Sequence, residues 1–177
     1  MQGMTFPMPE NDMTSFPQPE RQSFDCQRCG HCCRGRGGIV VSAGDLKRLC
    51  AFTRTTPEEF LNAWGEKRGG KLHIRAGEDA FCVFFTQDTG CAVHEAKPDI
   101  CRAWPYFRGN LMDAWSFESS KDFCPGIPPS LSHAGFVRQG LAWLSEGHLA
   151  GTAGQDEANA LQVSDLLESL AQNDKKR

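Results

Sequence analysis

The feature that most constrains this chain is the crowding of cysteine in one short stretch, DCQRCGHCCRGRGG, from Asp25 to Gly38. Four cysteines fall within eight residues there, and the last two are adjacent. The nine cysteines of the 177-residue chain all lie in its first 124 residues: Cys26, Cys29, Cys32, Cys33, Cys50, Cys82, Cys91, Cys101 and Cys124. A chain of this length can bury a core without covalent staples, so the cysteines need another explanation.

Metal chelation explains this spacing better than disulfide bonding does. A Cys-x-x-Cys turn places two sulfurs on one side of a tight loop, where both can reach one ion at about 2.3 Å. Cys26 with Cys29, and Cys29 with Cys32, have this spacing. The sequence shows neither a secretory signal nor an apolar run of about 18 residues that could span a membrane. We therefore expect a cytoplasmic protein, in which thiols stay reduced and a cysteine framework binds metal.

The adjacent pair Cys32 and Cys33 is awkward for a single small ion, because neighbouring side chains diverge by about 100° in a helix and about 180° in a strand. One sulfur of the pair then goes to each of two centres, or one stays outside the coordination sphere. Cys50 is interpreted as a small buried thiol on a helix face. The other eight suffice for two four-thiolate sites, and we predict them as the metal ligands: Cys26, Cys29, Cys32, Cys33, Cys82, Cys91, Cys101 and Cys124.

The predicted metal is zinc or iron, and an iron–sulfur cluster is the main alternative. The first three cysteines have the spacing of the first three ligands in a bacterial ferredoxin run. Cys124-Pro125 resembles the Cys-Pro that ends such a run, although the usual three intervening residues are absent. Two histidines are also candidate ligands, His31 inside the cluster and His94 three residues after Cys91, with His94 favoured of the two. A lone histidine near metal-binding cysteines is more often a hydrogen-bond donor or a surface residue, and neither is counted among the predicted ligands.

Other functions are less well supported by the residues. The formal net charge of -3 lacks the basic footprint of a nucleic-acid-binding protein. A local basic run is interpreted as charge balance for metal-bound thiolates, with a nucleic-acid-binding zinc module as a third option. Its members are Arg28, Arg34, Arg36, Lys47, Arg48 and Arg54. A redox dithiol would need only two thiols, and no catalytic constellation is recognised.

The sequence predicts a small α+β domain, stabilised by metal, with short strands, a few helices and further helices at the C-terminal end. The predicted organisation is a flexible tail over residues 1–22, a cysteine-cluster domain over 23–127, a helical extension over 128–172 and a tail over 173–177. The extension is expected to pack on the core or on a protein partner. Predicted helices include SAGDLKRLC and TPEEFLNAW, each with a capping box, and KPDICRAW. Predicted strands include IVV, KLHIRA, FCVFFT, CAVH and LMDAWSFE.

The segments CQRCGHCC, CAVHEAKPDICRAWP and CPG, with Cys82 between them, resemble the YkgJ-type cysteine-cluster family, a zinc- or iron-chelating domain. The resemblance covers about Cys26 to Gly126, and it places the eight predicted ligands on the cysteines of the family. Arg102 and Pro105 fall on its C-R-x-x-P positions. The resemblance implies chelation. Related clusters are associated with some flagellin lysine methylases, which leaves an enzyme-linked role open by analogy.

Overall fold

The computed structural model describes residues 23–35, 39–150 and 158–168. The predicted tails over 1–22 and 173–177, and part of the predicted helical extension, lie outside these residues. The described residues form a mixed α+β structure, as predicted. The helices and strands in chain order are β1 (Ile39–Val40), α1 (Ala43–Thr53), α2 (Pro57–Trp64), β2 (Gly65–Arg68), β3 (Lys71–Ile74), β4 (Phe85–Thr86), β5 (Gly90–Cys91), α3 (Asp99–Ala103), α4 (Arg108–Met112), α5 (Ala114–Phe123) and α6 (His133–Glu146).

The first half of the described chain contains two small antiparallel sheets. The order of the first is β1-β3-β2, with Ile39 opposite Ile74, and β4 pairs with β5 in a hairpin. Both predicted capping boxes are present: Ser42 caps α1 and Thr56 caps α2. These caps satisfy backbone N–H groups that a helix leaves free, which is why the two helices start where the sequence indicates.

Two groups of buried side chains form the interior. The sheet core joins α1, α2 and the strands, and contains Val41, Leu49, Cys50, Phe60, Ile74, Cys82, Phe84, Val93 and Ala96. The helical core joins α3 to α6 and the C-terminal residues, and contains Ala103, Tyr106, Leu111, Phe117, Cys124, Ile127, Leu131, Phe136, Leu141, Leu144, Leu149, Ala158, Leu161 and Val163. Removing this apolar surface from water holds each half together.

Helix α6 packs into the same core as residues 103–127, with its Phe136 ring 4.8 Å from that of Tyr106 and 4.5 Å from that of Phe117. Helix α6 thus contacts the cysteine-bearing region directly. A protein partner for the C-terminal helices stays a prediction. Within the described ranges, no helix is both long enough and apolar enough to cross a membrane.

Two predicted strands are wrong: LMDAWSFE, and CAVH, of which only Cys91 lies in a strand while the next three residues form a turn. LMDAWSFE spans the end of α4 and the beginning of α5, and Asp113 caps α5 by accepting a hydrogen bond from the Ser116 N–H at 2.7 Å. Phe117 and Ser120 are buried on one face of that helix, so helical packing overrides the β-prone residues. FCVFFT contributes only Phe85–Thr86 to a strand.

Candidate metal centre

All eight predicted ligands line a single cavity with a volume of about 620 Å³. Its wall includes residues of both cores, such as Phe84 of the sheet core and Tyr106 of the helical core. Cys50 is not among the lining residues described; it is buried in the sheet core on α1, as the sequence indicated. The fold therefore gathers cysteines that are up to 98 positions apart, from Cys26 to Cys124.

The loop that carries the first four cysteines turns at Gly30 and ends in a short 3-10 turn, His31–Cys33. Gly30 has a φ of 81°, and a Cβ atom placed on it would lie 2.1 Å from the Phe85 ring. Only glycine fits this backbone and this contact without strain. The backbone also joins the loop to Cys82, whose N–H donates to the Cys33 carbonyl at 2.8 Å.

The later cysteines come from three different elements. Cys82 lies just before the β4–β5 hairpin and Cys91 on its strand β5, Cys101 lies on α3, and Cys124 follows the last residue of α5. The Cys-Pro-Gly segment is joined to the first loop by a 3.0 Å hydrogen bond from the N–H of Asp25 to the carbonyl of Gly126. These backbone contacts bring both ends of the cysteine-bearing region to the same cavity.

Four of the thiols interact electrostatically with one another in every pairwise combination: Cys32, Cys82, Cys91 and Cys101. The thiol of Cys124 interacts in the same way with those of Cys29 and Cys32. Such coupling requires the sulfurs to be close together in a region of low dielectric. Cys91 also interacts with Cys26, so the network reaches the first loop, but among the described thiols only these four interact in every pair.

Burial controls the protonation of these thiols. It raises the pKa of Cys82 to about 11, and it raises the pKa values of Cys91, Cys101 and Cys124 in the same direction. The pKa of Cys32 is raised chiefly by a hydrogen bond with the neighbouring Cys33 side chain and then by burial. The metal-free thiols hold their protons at neutral pH, so ion binding must release protons.

Backbone donors oppose this effect and prepare the sulfurs for ligation. Cys82, Cys91 and Cys124 each receive a hydrogen bond from the backbone N–H two residues further along the chain, and each bond lowers the pKa of its thiol. Hydrogen bonds of this kind favour the thiolate and orient it when it binds a metal. The same local turn recurs at three cysteines from different segments.

The two candidate histidines lie in different places. His94 lines the cavity, and burial together with the positive charge of Lys97 lowers its pKa. The two side chains are 3.4 Å apart between the Lys97 Nζ and the His94 Nε2. His31 is not among the described residues of the wall, and its Nδ1 lies 2.8 Å from the carbonyl oxygen of Phe123. Of the two candidates, His94 is the one found among the described wall residues.

The cavity wall also carries four positive side chains: Arg28, Arg34, Lys97 and Arg102. Of the six basic residues that the sequence analysis named for charge balance, Arg28 and Arg34 are among the described wall residues. Lys97 and Arg102 were missed for this role because the tertiary fold, and not their distance along the chain, brings α3 and the residues just before it to the cavity. The sequence did offer one signal for them: Arg102 directly follows the predicted ligand Cys101, and Lys97 directly precedes Pro98 at the start of the predicted helix.

Arg48 has a different role from the one predicted. Its guanidinium pairs with Asp45 at 2.5 Å and with Asp99 at 2.6 Å. Asp45 also accepts a hydrogen bond from the backbone N–H of Asp99 at 2.9 Å. This arginine thus ties α1 to the first turn of α3 outside the cavity.

The donor set suits zinc or iron, since thiolates bind both metals well. Among the described residues, no three Cys, His, Asp or Glu side chains stand in position to hold an ion without moving. Ligation thus requires the thiols to turn towards one another, and the cavity volume gives them room. The indole Nε1–H of Trp104 is a second observation that suits a bound metal. It is buried without a hydrogen-bond partner of normal geometry, beside the Cys124 thiol that a metal would convert to a thiolate.

A family model, CxxCxxCC, with the description "Putative zinc- or iron-chelating domain", matches residues 25–125. The chain belongs to the CxxCxxCC family. The matched region contains all eight cysteines of the cavity, and it ends next to Cys124, so α6 lies beyond it. Membership of the CxxCxxCC family supports zinc or iron binding by this chain. No solved structure matches it.

Proposed function

We propose that the chain is a zinc- or iron-binding protein that holds the metal in two thiolate-rich centres within the cavity. One observation carries the proposal: eight cysteines from separate segments line the cavity, while the ninth, Cys50, lies in the sheet core. A closed site of the zinc type uses four ligands. Eight thiols in one cavity therefore support two such centres.

The mutual coupling of four thiols supports a division between the two centres. The first is formed by Cys32, Cys82, Cys91 and Cys101, whose sulfurs all interact with one another. The second is formed by the remaining four, Cys26, Cys29, Cys33 and Cys124. This division sends the sulfurs of the adjacent pair to different centres, as the divergence of neighbouring side chains favours.

The charges of the wall support the same proposal. Eight thiolates around two divalent ions leave four negative charges in a partly buried space. The four cationic side chains of the wall match that number. Positive charge and N–H donors near metal-bound sulfur offset its excess negative charge.

Metal analysis of anaerobically purified protein tests the proposal. We expect about two metal ions per chain, and lower stoichiometry in each of the variants Cys101→Ser and Cys124→Ser. Cys50→Ser is the matched control, since it removes a thiol outside the cavity and should keep the full metal content. Protein that retains no metal, or a Cys50→Ser variant that loses as much as the others, would contradict the proposal.

An iron–sulfur centre is the second candidate. The aromatic part of the wall favours it, because rings such as Phe85, Phe107 and Trp104 shield a cluster from water, and the cavity exceeds the space that one ion needs. Such a protein would serve as an electron carrier or enzyme component. Clusters absorb visible light and zinc does not. Colourless protein with stoichiometric zinc, from a host competent in cluster assembly, would end this candidate.

A further inference from the structure

The indole N–H of Trp104 is a buried donor in the wall of the cavity. Its Nε1 atom is buried and has no hydrogen-bond partner of normal geometry among the described residues. Buried donors without acceptors are rare in proteins and call for an explanation. The candidate acceptor is the Cys124 thiol: burial raises the pKa of this thiol, and a hydrogen bond from the Trp104 side chain opposes that rise. A neutral thiol is a weak acceptor, whereas a charged acceptor strengthens a hydrogen bond.

The surroundings hold this donor in place. The Trp104 ring packs edge-to-face against Phe107 and Phe123, with centroids 5.2 and 6.2 Å away. Cys124 is itself buried and also accepts a hydrogen bond from the backbone N–H of Gly126. Two N–H donors from different segments therefore converge on one sulfur.

We propose that Trp104 is a positioning residue for Cys124, whose indole N–H donates to the Cys124 sulfur once that sulfur is a metal-bound thiolate. The inference rests on the proposed function. The hydrogen bond gives the buried Trp104 N–H an acceptor and orients the Cys124 side chain. It also withdraws electron density from the Cys124 sulfur. It strengthens metal retention by the centre that contains Cys124.

A second tryptophan in the same cavity provides a matched control. The Nε1–H of Trp143 donates to the backbone carbonyl of Arg102 at 3.0 Å, so its hydrogen bond does not depend on metal. Replacing each tryptophan by phenylalanine removes one N–H donor and keeps an aromatic ring in the wall. Only the Trp104→Phe change removes a donor to sulfur.

The test uses the full chain loaded with Co²⁺, whose sulfur-to-metal charge-transfer absorption reports on the ligating sulfurs. In Trp104→Phe we expect this absorption at longer wavelength and a metal affinity about 10- to 100-fold lower, as for other lost partners of metal ligands. Trp143→Phe should change neither. Equal shifts in the two variants would overturn the inference, and so would the absence of a shift in both. Failure of the unaltered protein to bind any metal would instead overturn the proposed function.

Two further measurements identify the acceptor and do not depend on the stability of one variant. In a Cys124→Ala background, Trp104→Phe should produce no additional shift, because the acceptor is already gone; a persisting shift overturns the inference. In unaltered protein, the indole proton resonance of Trp104 should move downfield on zinc loading while that of Trp143 stays. Equal movement of both resonances also overturns it.

Discussion

At the scale of single residues, the protonation state of the cavity thiols is set by burial and by nearby backbone N–H donors. Burial keeps the thiols protonated, and backbone N–H groups two residues further along favour the thiolate at Cys82, Cys91 and Cys124. These opposing effects make a site that holds protons until a metal replaces them. Two predictions follow from this balance and from the loop that supports it.

The first concerns Gly30→Ala. The new methyl group would meet the Phe85 ring at 2.1 Å on a backbone with a φ of 81°, so we expect a loss of about 2 to 4 kcal/mol from strain and overpacking. Urea unfolding of metal-loaded protein measures this loss. Gly69→Ala is the control, because its φ is also positive, 57°, but nothing lies within 4 Å of the new methyl group. Equal losses in both variants would show that the Phe85 contact is unimportant.

The second prediction concerns pH. Since the pKa values of Cys82, Cys91 and Cys101 are raised above the ordinary 9.0, these thiols are protonated throughout pH 6 to 8.5. Protons therefore compete with metal over this whole range, and zinc affinity should rise continuously with pH. Competition with a chelator of known pH dependence measures it. Burial and the charge of Lys97 lower the pKa of His94, so the zinc affinity of a site dominated by imidazole would not keep rising to the upper end of the range. Such a plateau would contradict thiolate ligation.

At the scale of elements, α1 anchors the helix that carries Cys101. Asp45 is buried at 2% exposure, completes the capping box of α1, pairs with Arg48 and accepts from the first N–H of α3. One carboxylate therefore serves as a cap and as a link between helices. The link fixes where α3 begins, and so where its cysteine enters the cavity.

The matched pair of capping boxes makes this link testable. Asp45→Ala removes the cap and leaves buried donors without an acceptor, so we expect a loss of about 2 to 4 kcal/mol in urea unfolding of the metal-loaded protein. Glu59→Ala removes the equivalent carboxylate from α2, where it is exposed and contacts only its own helix end. Its effect should be clearly smaller. Equal effects would mean that the link from Asp45 to α3 adds nothing.

The elements also show what the sequence can and cannot predict. The capped starts of α1 and α2 are encoded by residues three positions apart, so local spacing was enough to find them. The strand Gly65–Arg68 has the polar sequence GEKR and forms because β3 pairs with it along its whole length, which no local pattern reveals. Likewise, spacing identified eight cysteines that line the cavity, but not Lys97, Arg102 or the indole of Trp104, which reach it only through the tertiary fold.

At the scale of the whole molecule, the cavity lies where the sheet core and the helical core meet. A cavity of about 620 Å³ removes packing contacts from both. A bound metal would restore them by joining the cysteine loop, the β4–β5 hairpin, α3 and the end of α5. The two halves are thus expected to depend on the metal for their union.

Metal removal should therefore have a large effect. Structural zinc supplies about 10 to 16 kcal/mol of apparent folding free energy, against a net stability of about 5 to 15 kcal/mol for a typical domain. We expect chelation to abolish the cooperative thermal unfolding transition, followed by calorimetry, and added zinc to restore it. An unchanged transition after complete metal removal would contradict a structural role.

X-ray absorption at the metal edge tests the central claim most directly, because it counts the ligand atoms around the metal in the protein as purified. Thiolate ligation from the cavity predicts a shell of about four sulfurs at about 2.3 Å for zinc, unchanged in Cys50→Ser. A shell made mainly of nitrogen and oxygen at about 2.0 to 2.2 Å would contradict it.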